Sequence, residues 1–405
     1  MLGSRIRLIT GIFAFLILAT CVDPYYPALK SNSPMLVVDG LITDSKSNYT
    51  VKISTSFQNQ NSYLPVIEYA TVYISDDTGN KNYLNYTGNG VYMSDSSLFR
   101  GMTGRTYVLH IKTPDGKEYA SDSCLMQAAA DIDRIYYEKD EEPYNNGTES
   151  QEGLRIYVDS KTGGQSHYYR WGFEETWKFR VPYPKRYNYI IPMSIQPVAR
   201  VHEYCWRTVK SEGTTVHSVN GGQDARVERQ PVLFIASAKS DRLMIEYSVL
   251  VNQYSISEKE FEFWSNLKTV DESGGDIFGS QPYSVISNIH NINDPNEKVL
   301  GYFQVSAVKQ KRIYIPFSVV IDQNLPFYHE DNCARIEAGR VVFFDGSMGS
   351  FDEVYTDYCI NGNYTFIEPE FSAAGLDKLV FTTPECADCE ILGTSAKPDF
   401  WIDLK

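Results

Sequence analysis

The tightest grouping of chemically able side chains in this sequence is Cys386-Ala387-Asp388-Cys389. Two thiols at that spacing suit a redox dithiol or one half of a zinc site. A redox pair opens a helix whose N-terminus and nearby cations lower the thiol pKa, whereas Glu385 and Asp388 flank this pair and disfavour a thiolate. A zinc ribbon needs a second close pair, and Cys333 and Cys359 each stand alone. The motif therefore reads as two members of a structural disulfide set.

Other chemistry is sparse. His110, His167, His202, His217, His290 and His329 show neither His-x-x-x-His nor His-Glu-x-x-His spacing, so no metal site is expected, and His329-Glu330-Asp331 reads as a solvated loop. Gly346-Ser347-Met348-Gly349 lacks the spacing of a nucleophile elbow and reads as a turn. No Walker loop or dinucleotide glycine pattern occurs, so no cofactor is expected. Asp140-Glu141-Glu142 and Asp271-Glu272 lack the ligand alternation of a calcium loop. Glu174-Glu175 sits in an aromatic setting, but strand neighbours point to opposite faces, so the two cannot work together on one substrate. The expectation is a protein that is not an enzyme.

What remains is binding. Tyr169, Trp171 and Phe173 share one strand face, and Trp177 continues the run with Arg170, Lys178 and Arg180 alternating. These residues, with Tyr183 and Tyr187 in the following loop, are either a core face backed by charge or a stacking platform for a glycan, a peptide or a protein partner.

The elements that must position such residues follow from composition and patterning. The chain has 405 residues, 42% hydrophobic and 22% charged, which excludes the disordered and fibrous classes. A formal net charge of −14 makes nucleic acid an unsuitable partner. Aromatics reach 14%, with 30 tyrosines, which favours β-rich structure.

Arg5 and Arg7 precede the apolar run Leu8 to Ala19, too short to span a bilayer and right for a signal-peptide core over residues 1–20. Leu18-Ala19-Thr20-Cys21 is similar to a bacterial lipobox, which makes Cys21 the lipidation residue and residues 21–33 a Pro-rich spacer. Removing Cys21 leaves Cys124, Cys205, Cys333, Cys359, Cys386 and Cys389 as disulfide candidates in an exported chain, with fifteen pairings open.

Over 34–127, short alternating strands such as Tyr49 to Ser54, Ala70 to Ser75 and Thr106 to Lys112 are punctuated by turns at Asp76 to Asn80, Gly88 to Gly90 and Pro114 to Gly116. That spacing predicts an immunoglobulin-like β-sandwich. Residues 128–405 read as a larger β-rich region with one amphipathic helix near 257–270, opened by the capping box Ser257 to Glu260, stopped at Gly274-Gly275, and packing Phe261, Trp264 and Leu267 on a sheet.

Several segments together resemble a known family. They are Pro34 to Thr43, Tyr168 to Trp171 with Glu175 to Trp177, Ser257 to Leu267, Asn288-Ile289 with Val299 to Phe303, and Cys386 to Cys389 with Gly393-Thr394 and Lys397 to Trp401. In this order they are similar to the Bacteroidota outer-membrane lipoproteins catalogued as domain of unknown function 4249. The resemblance implies a lipid-anchored protein of the outer membrane, exposed at the cell surface and often encoded beside a TonB-dependent transporter, and it supplies no catalytic residues. The expected function is a non-catalytic accessory that binds a ligand or docks such a transporter for nutrient uptake. The alternatives are a structural or adhesive surface protein and a hydrolase with carboxylates assembled in space.

Overall fold

The computed structural model describes residues 34–404 apart from 57–64, 146, 162–166, 220–225, 273–286, 331 and 343. The signal peptide, Cys21, its spacer and the glycines expected to end the helix lie outside the described residues.

Eight strands open the chain: β1 (Leu36–Ile42), β2 (Thr50–Thr55), β3 (Thr71–Asp76), β4 (Lys81–Gly88), β5 (Val91–Met93), β6 (Thr106–Lys112), β7 (Glu118–Ser121) and β8 (Cys124–Leu125). Their alternation buries one face, with Val38, Ile42, Val51, Ile53, Ile74, Leu109 and Ile111 in a single core. The turns fall where Gly79, Gly90 and Gly116 supply positive φ.

The next strands are longer: β9 (Ile132–Tyr144), β10 (Glu149–Lys161), β11 (Tyr168–Arg180), β12 (Tyr187–Ile190), β13 (Ser194–Pro197), β14 (Tyr204–Ser218), β15 (Arg226–Ala236) and β16 (Glu246–Ile256). Helix α1 (Glu258–Glu272) follows. Ser257 Oγ accepts from the Glu260 N–H at 3.2 Å, the cap that the sequence announces. Among its described side chains Glu260 and Phe263 are buried, while Phe261, Trp264 and Leu267 are half-buried, so the inward face is rotated from the one expected. The reason is its location between two sheets: Phe261 meets Tyr168 of β11 at 5.0 Å between ring centroids, and Phe263 meets Tyr302 at 4.8 Å.

Strands β17 (Ile289–Asn291) and β18 (Val299–Val305) then return to the start of the molecule. The first sheet has ten strands, in the order β17-β7-β6-β3-β4-β5-β2-β1-β18 with β8 on β6. It is nearly closed, because its two end strands come together. Asn288 completes the join: its amide donates to the Phe303 carbonyl at 2.9 Å and accepts from the Phe303 N–H at 2.8 Å. β18 runs parallel to β1, and Gly301, at φ 89°, approaches Val38 so closely that a Cβ would stand 1.9 Å from its carbonyl oxygen. The first sheet extends past the expected 34–127: two of its strands come from beyond residue 288, β17 antiparallel on β7 and β18 by a parallel pairing with β1 that local patterning does not announce.

β19 (Val308–Pro316) completes a four-stranded sheet, β14-β11-β16-β19, which faces the three-stranded sheet β15-β10-β9 across one large core. After α2 (Ser318–Asp322) come β20 (Ile336–Gly339), α3 (Phe351–Tyr355), β21 (Thr365–Ser372), β22 (Gly375–Thr382) and α4 (Pro384–Ala387). The small sheet β20-β22-β21 shares a modest core with α3 and Tyr189 of β12. The protein is mostly β, as its composition and patterning predict.

Candidate functional site

The six aromatic residues read as a platform do not form one. β11 is a central strand with its apolar face turned to the three-stranded sheet, so Tyr169, Trp171 and Trp177 are 0%, 1% and 3% exposed and Phe173 packs half-buried beside them. The Trp171 indole N–H donates to Gln253 at 3.0 Å. Tyr183 packs near Ile367 and Val380, and Tyr187 joins the core of the small C-terminal sheet. Three separate packing environments hold these rings.

Glu174 and Glu175 do point to opposite faces. Glu175 lies on the core side, where Tyr247 donates to it at 2.8 Å and Arg242 stands 3.4 Å away, and burial pushes its carboxyl above the ordinary range against both partners. Glu174 lies on the outer side, between Arg312 at 3.0 Å and Lys210 at 3.3 Å.

The cysteine motif bridges outward from each end. Cys389 pairs with Cys205 of β14, and Cys386 pairs with Cys333. Of the six disulfide candidates, Cys124 and Cys359 are free thiols: one lies on β8 in the first region and the other beside the small C-terminal core. Burial pushes the Cys124 thiol up to about 12, with Glu260 adding to the shift, so it is a poor nucleophile.

The outer face of the four-stranded sheet is where the two regions meet. Arg170 projects there, fully buried, with its guanidinium between the rings of Tyr254 at 4.4 Å and Trp264 at 4.7 Å, and it donates to Gln304 of β18 at 2.8 Å. Glu260 faces the same junction. Burial pushes its carboxyl up to about 7, against the pull of Arg170. Its Oε1 lacks a hydrogen bond of good geometry. Beyond Tyr254 the two regions part and leave a cleft of about 500 Å³, walled by β1 and β2 on one side and by β11, β14, β16 and β19 on the other. Burial raises the Asp39 carboxyl on that wall, while Arg170 and Lys52 pull it back.

Two further features escaped the sequence reading. His202 Nδ1 lies 3.3 Å from Asp388 and 3.1 Å from Glu390, and these groups could hold a divalent cation. No local spacing announces the trio, because the Cys205–Cys389 bridge assembles it from residues far apart in sequence.

The second is apolar. Val341 and Val342 fold back against Met348 and Gly349 as a hairpin, with Val342 bridged to Met348 and the Gly349 N–H donating to the Val341 carbonyl at 2.7 Å. Val341, Val342, Phe344 and Met348 are all exposed, Phe344 completely. Beside this hairpin, Asp352 of α3 accepts from Tyr189 at 2.7 Å and from the Met193 N–H at 2.9 Å. Those bonds bring exposed Ile190, Ile191 and Met193 to the same end of the molecule. Isolated exposed apolar residues are ordinary, but a grouped set is a recognised mark of a contact surface.

A family model described as a domain of unknown function (DUF4249) matches residues 22–312. No curated protein and no solved structure matches the chain.

Proposed function

This chain belongs to the DUF4249 family, and from that premise we propose that it is a non-catalytic, lipid-anchored outer-membrane accessory protein that docks a TonB-dependent transporter during nutrient uptake. The observation that carries the proposal is the apolar hairpin surface around Phe344, where Val341, Val342, Phe344 and Met348 are exposed together. Pro34 stands at the entry to β1, and the second region joins at its exit, where the Ser306 N–H donates to Ile42 at 3.1 Å and the Val308 N–H to Asp44 at 2.8 Å. Seven strand residues at about 3.3 Å each separate entry from exit by about 23 Å. An anchor at Cys21 would then tether the protein through the first sheet, while the hairpin belongs to the chain that follows the second region's sheets.

The test has two arms. Cys21→Ser should release the protein from the membrane fraction. Phe344→Asp with Met348→Asp should abolish co-purification of an outer-membrane barrel after mild detergent extraction while leaving the anchor in place. A Cys21→Ser protein that stays with the membrane, or a barrel that co-purifies equally with the double variant, defeats the proposal.

A further inference from the structure

The cleft between the two regions is built for a different task from the hairpin, and its wall chemistry selects a class of ligand. Its volume of about 500 Å³ lies within the span of roughly 300–1,000 Å³ usual for small-molecule sites. Its charges stand beside opposite charges. Asp39 and Lys52 are register partners on β1 and β2, and Arg170 and Lys52 both pull on the Asp39 carboxyl. Glu174 is held between Arg312 and Lys210. A charged ligand would have to compete with the opposite charge already beside its contact.

What is left to bind with is neutral. Asn48 and Thr50 line the opening, Asn48 with its carbonyl already accepting from the Ser96 N–H at 3.0 Å and its amide N–H groups remaining, and the Gln310 amide donates to Asn252 at 2.7 Å across β16 and β19, leaving the remaining donor and acceptor positions of both amides for a ligand. Side-chain amides and hydroxyls offer donors and acceptors together, the pairing that a hydroxyl on a ligand both accepts from and donates to. A peptide finds no corresponding handle on the β1 wall: that strand is hydrogen-bonded on both edges, to β2 and to β18, and cannot accept an added strand.

We propose that this cleft binds a neutral oligosaccharide, with Asn252 and Gln310 as the principal contacts on the second region and Asn48 and Thr50 opposite them on the first. Both walls contribute, so a bound sugar bridges the two regions. The site does not depend on the hairpin's partner.

Calorimetric titration of the mature protein with maltohexaose, cellohexaose, xylohexaose and mannohexaose tests this, with hexagalacturonate and an unstructured hexapeptide as the charged and peptide probes. At least one neutral hexasaccharide should bind. Asn252→Ala with Gln310→Ala should weaken it by about tenfold or more, since each lost hydrogen bond removes a severalfold share. Asn48→Ala, on the other wall, should weaken the same sugar while preserving the fold if the double variant proves unstable. Phe344→Asp should leave the sugar affinity unchanged, which separates this site from the docking surface. Absence of binding by all four neutral sugars, tighter binding of the acidic sugar or the peptide, or affinities indifferent to both sets of cleft substitutions would each overturn the proposal.

Discussion

The ten-stranded sheet and the small C-terminal sheet bury apolar surface by different means. The first closes through backbone ladders and the Asn288 amide around a core that runs from Leu36 to Ala307, and its cysteine, Cys124, is in no disulfide. The second has a core of only Tyr189, Phe351, Val354, Phe366, Leu379 and Phe381 with their half-buried neighbours, and covalent bonds flank it. Cys386 and Cys389 tie the end of the chain to residue 333 on one side and to β14 on the other. A segment with too little apolar area to hold itself shut gains from cross-links that restrict its unfolded state, and a sheet with a continuous core does not need them.

Removing those cross-links should have the largest effect. The Cys333–Cys386 bridge closes 53 residues and the Cys205–Cys389 bridge 184. In the chain-entropy picture such loops stabilise by about 4 and about 5 kcal/mol, less than additively because they overlap. Cys386→Ser with Cys389→Ser should therefore open residues 333–404 to protease at a temperature where hydrogen exchange still shows β1, β6 and β18 protected. Simultaneous loss of both regions would erase the distinction drawn above.

The junction comes next, because there the two regions share buried charge. Glu260 sits at about 7 in the fold against an ordinary 4.5, so the folded chain holds this proton more tightly than the unfolded chain. Its contribution to stability is complete below about pH 4.5 and is lost as pH rises through about 7, a change on the order of 3 kcal/mol. Glu260→Gln should flatten that fall. Denaturant midpoints at pH 5 and pH 8 check it, and parallel pH profiles for the two proteins would contradict the assignment. A smaller effect is expected at the seam of the first sheet, where Asn288→Ala removes two hydrogen bonds to buried Phe303. Its cost should be about 2 kcal/mol, measured by urea unfolding. A near-neutral result would mean that the sheet closes without the seam.

Much of this architecture can be read from residue patterning. Period-two alternation marks β2, β3 and β6, glycine turns punctuate the first region, and Ser257 caps the helix. What escapes is whatever depends on distance in sequence. β18 pairs with β1 across more than 250 residues, and nothing in Val299 to Val305 names its partner. The same limit explains the cysteine motif, in which neighbours bond outward to separate strangers, and the aromatic run on β11, whose burial is decided by a sheet made of other residues. The cleft was equally illegible. Asn48, Asn252 and Gln310 are unremarkable in sequence and acquire meaning only when β2, β16 and β19 face one gap.

The smallest expected effect is also the most diagnostic of the hairpin. Phe344 makes no use of its ring in the fold: it is completely exposed at the tip of residues 341–349, whereas Phe303, of the same size, is fully buried in the first sheet. Replacing a buried phenylalanine with alanine costs roughly 3–5 kcal/mol through lost transfer energy and the cavity left behind. Replacing an exposed one should change stability by no more than about 0.5 kcal/mol. Phe303→Ala and Phe344→Ser, compared by urea unfolding in the same buffer, should therefore differ by several kcal/mol. If Phe344→Ser instead destabilised the isolated protein by more than about 1 kcal/mol, the ring would have a partner within its own chain and would no longer be free to meet another protein.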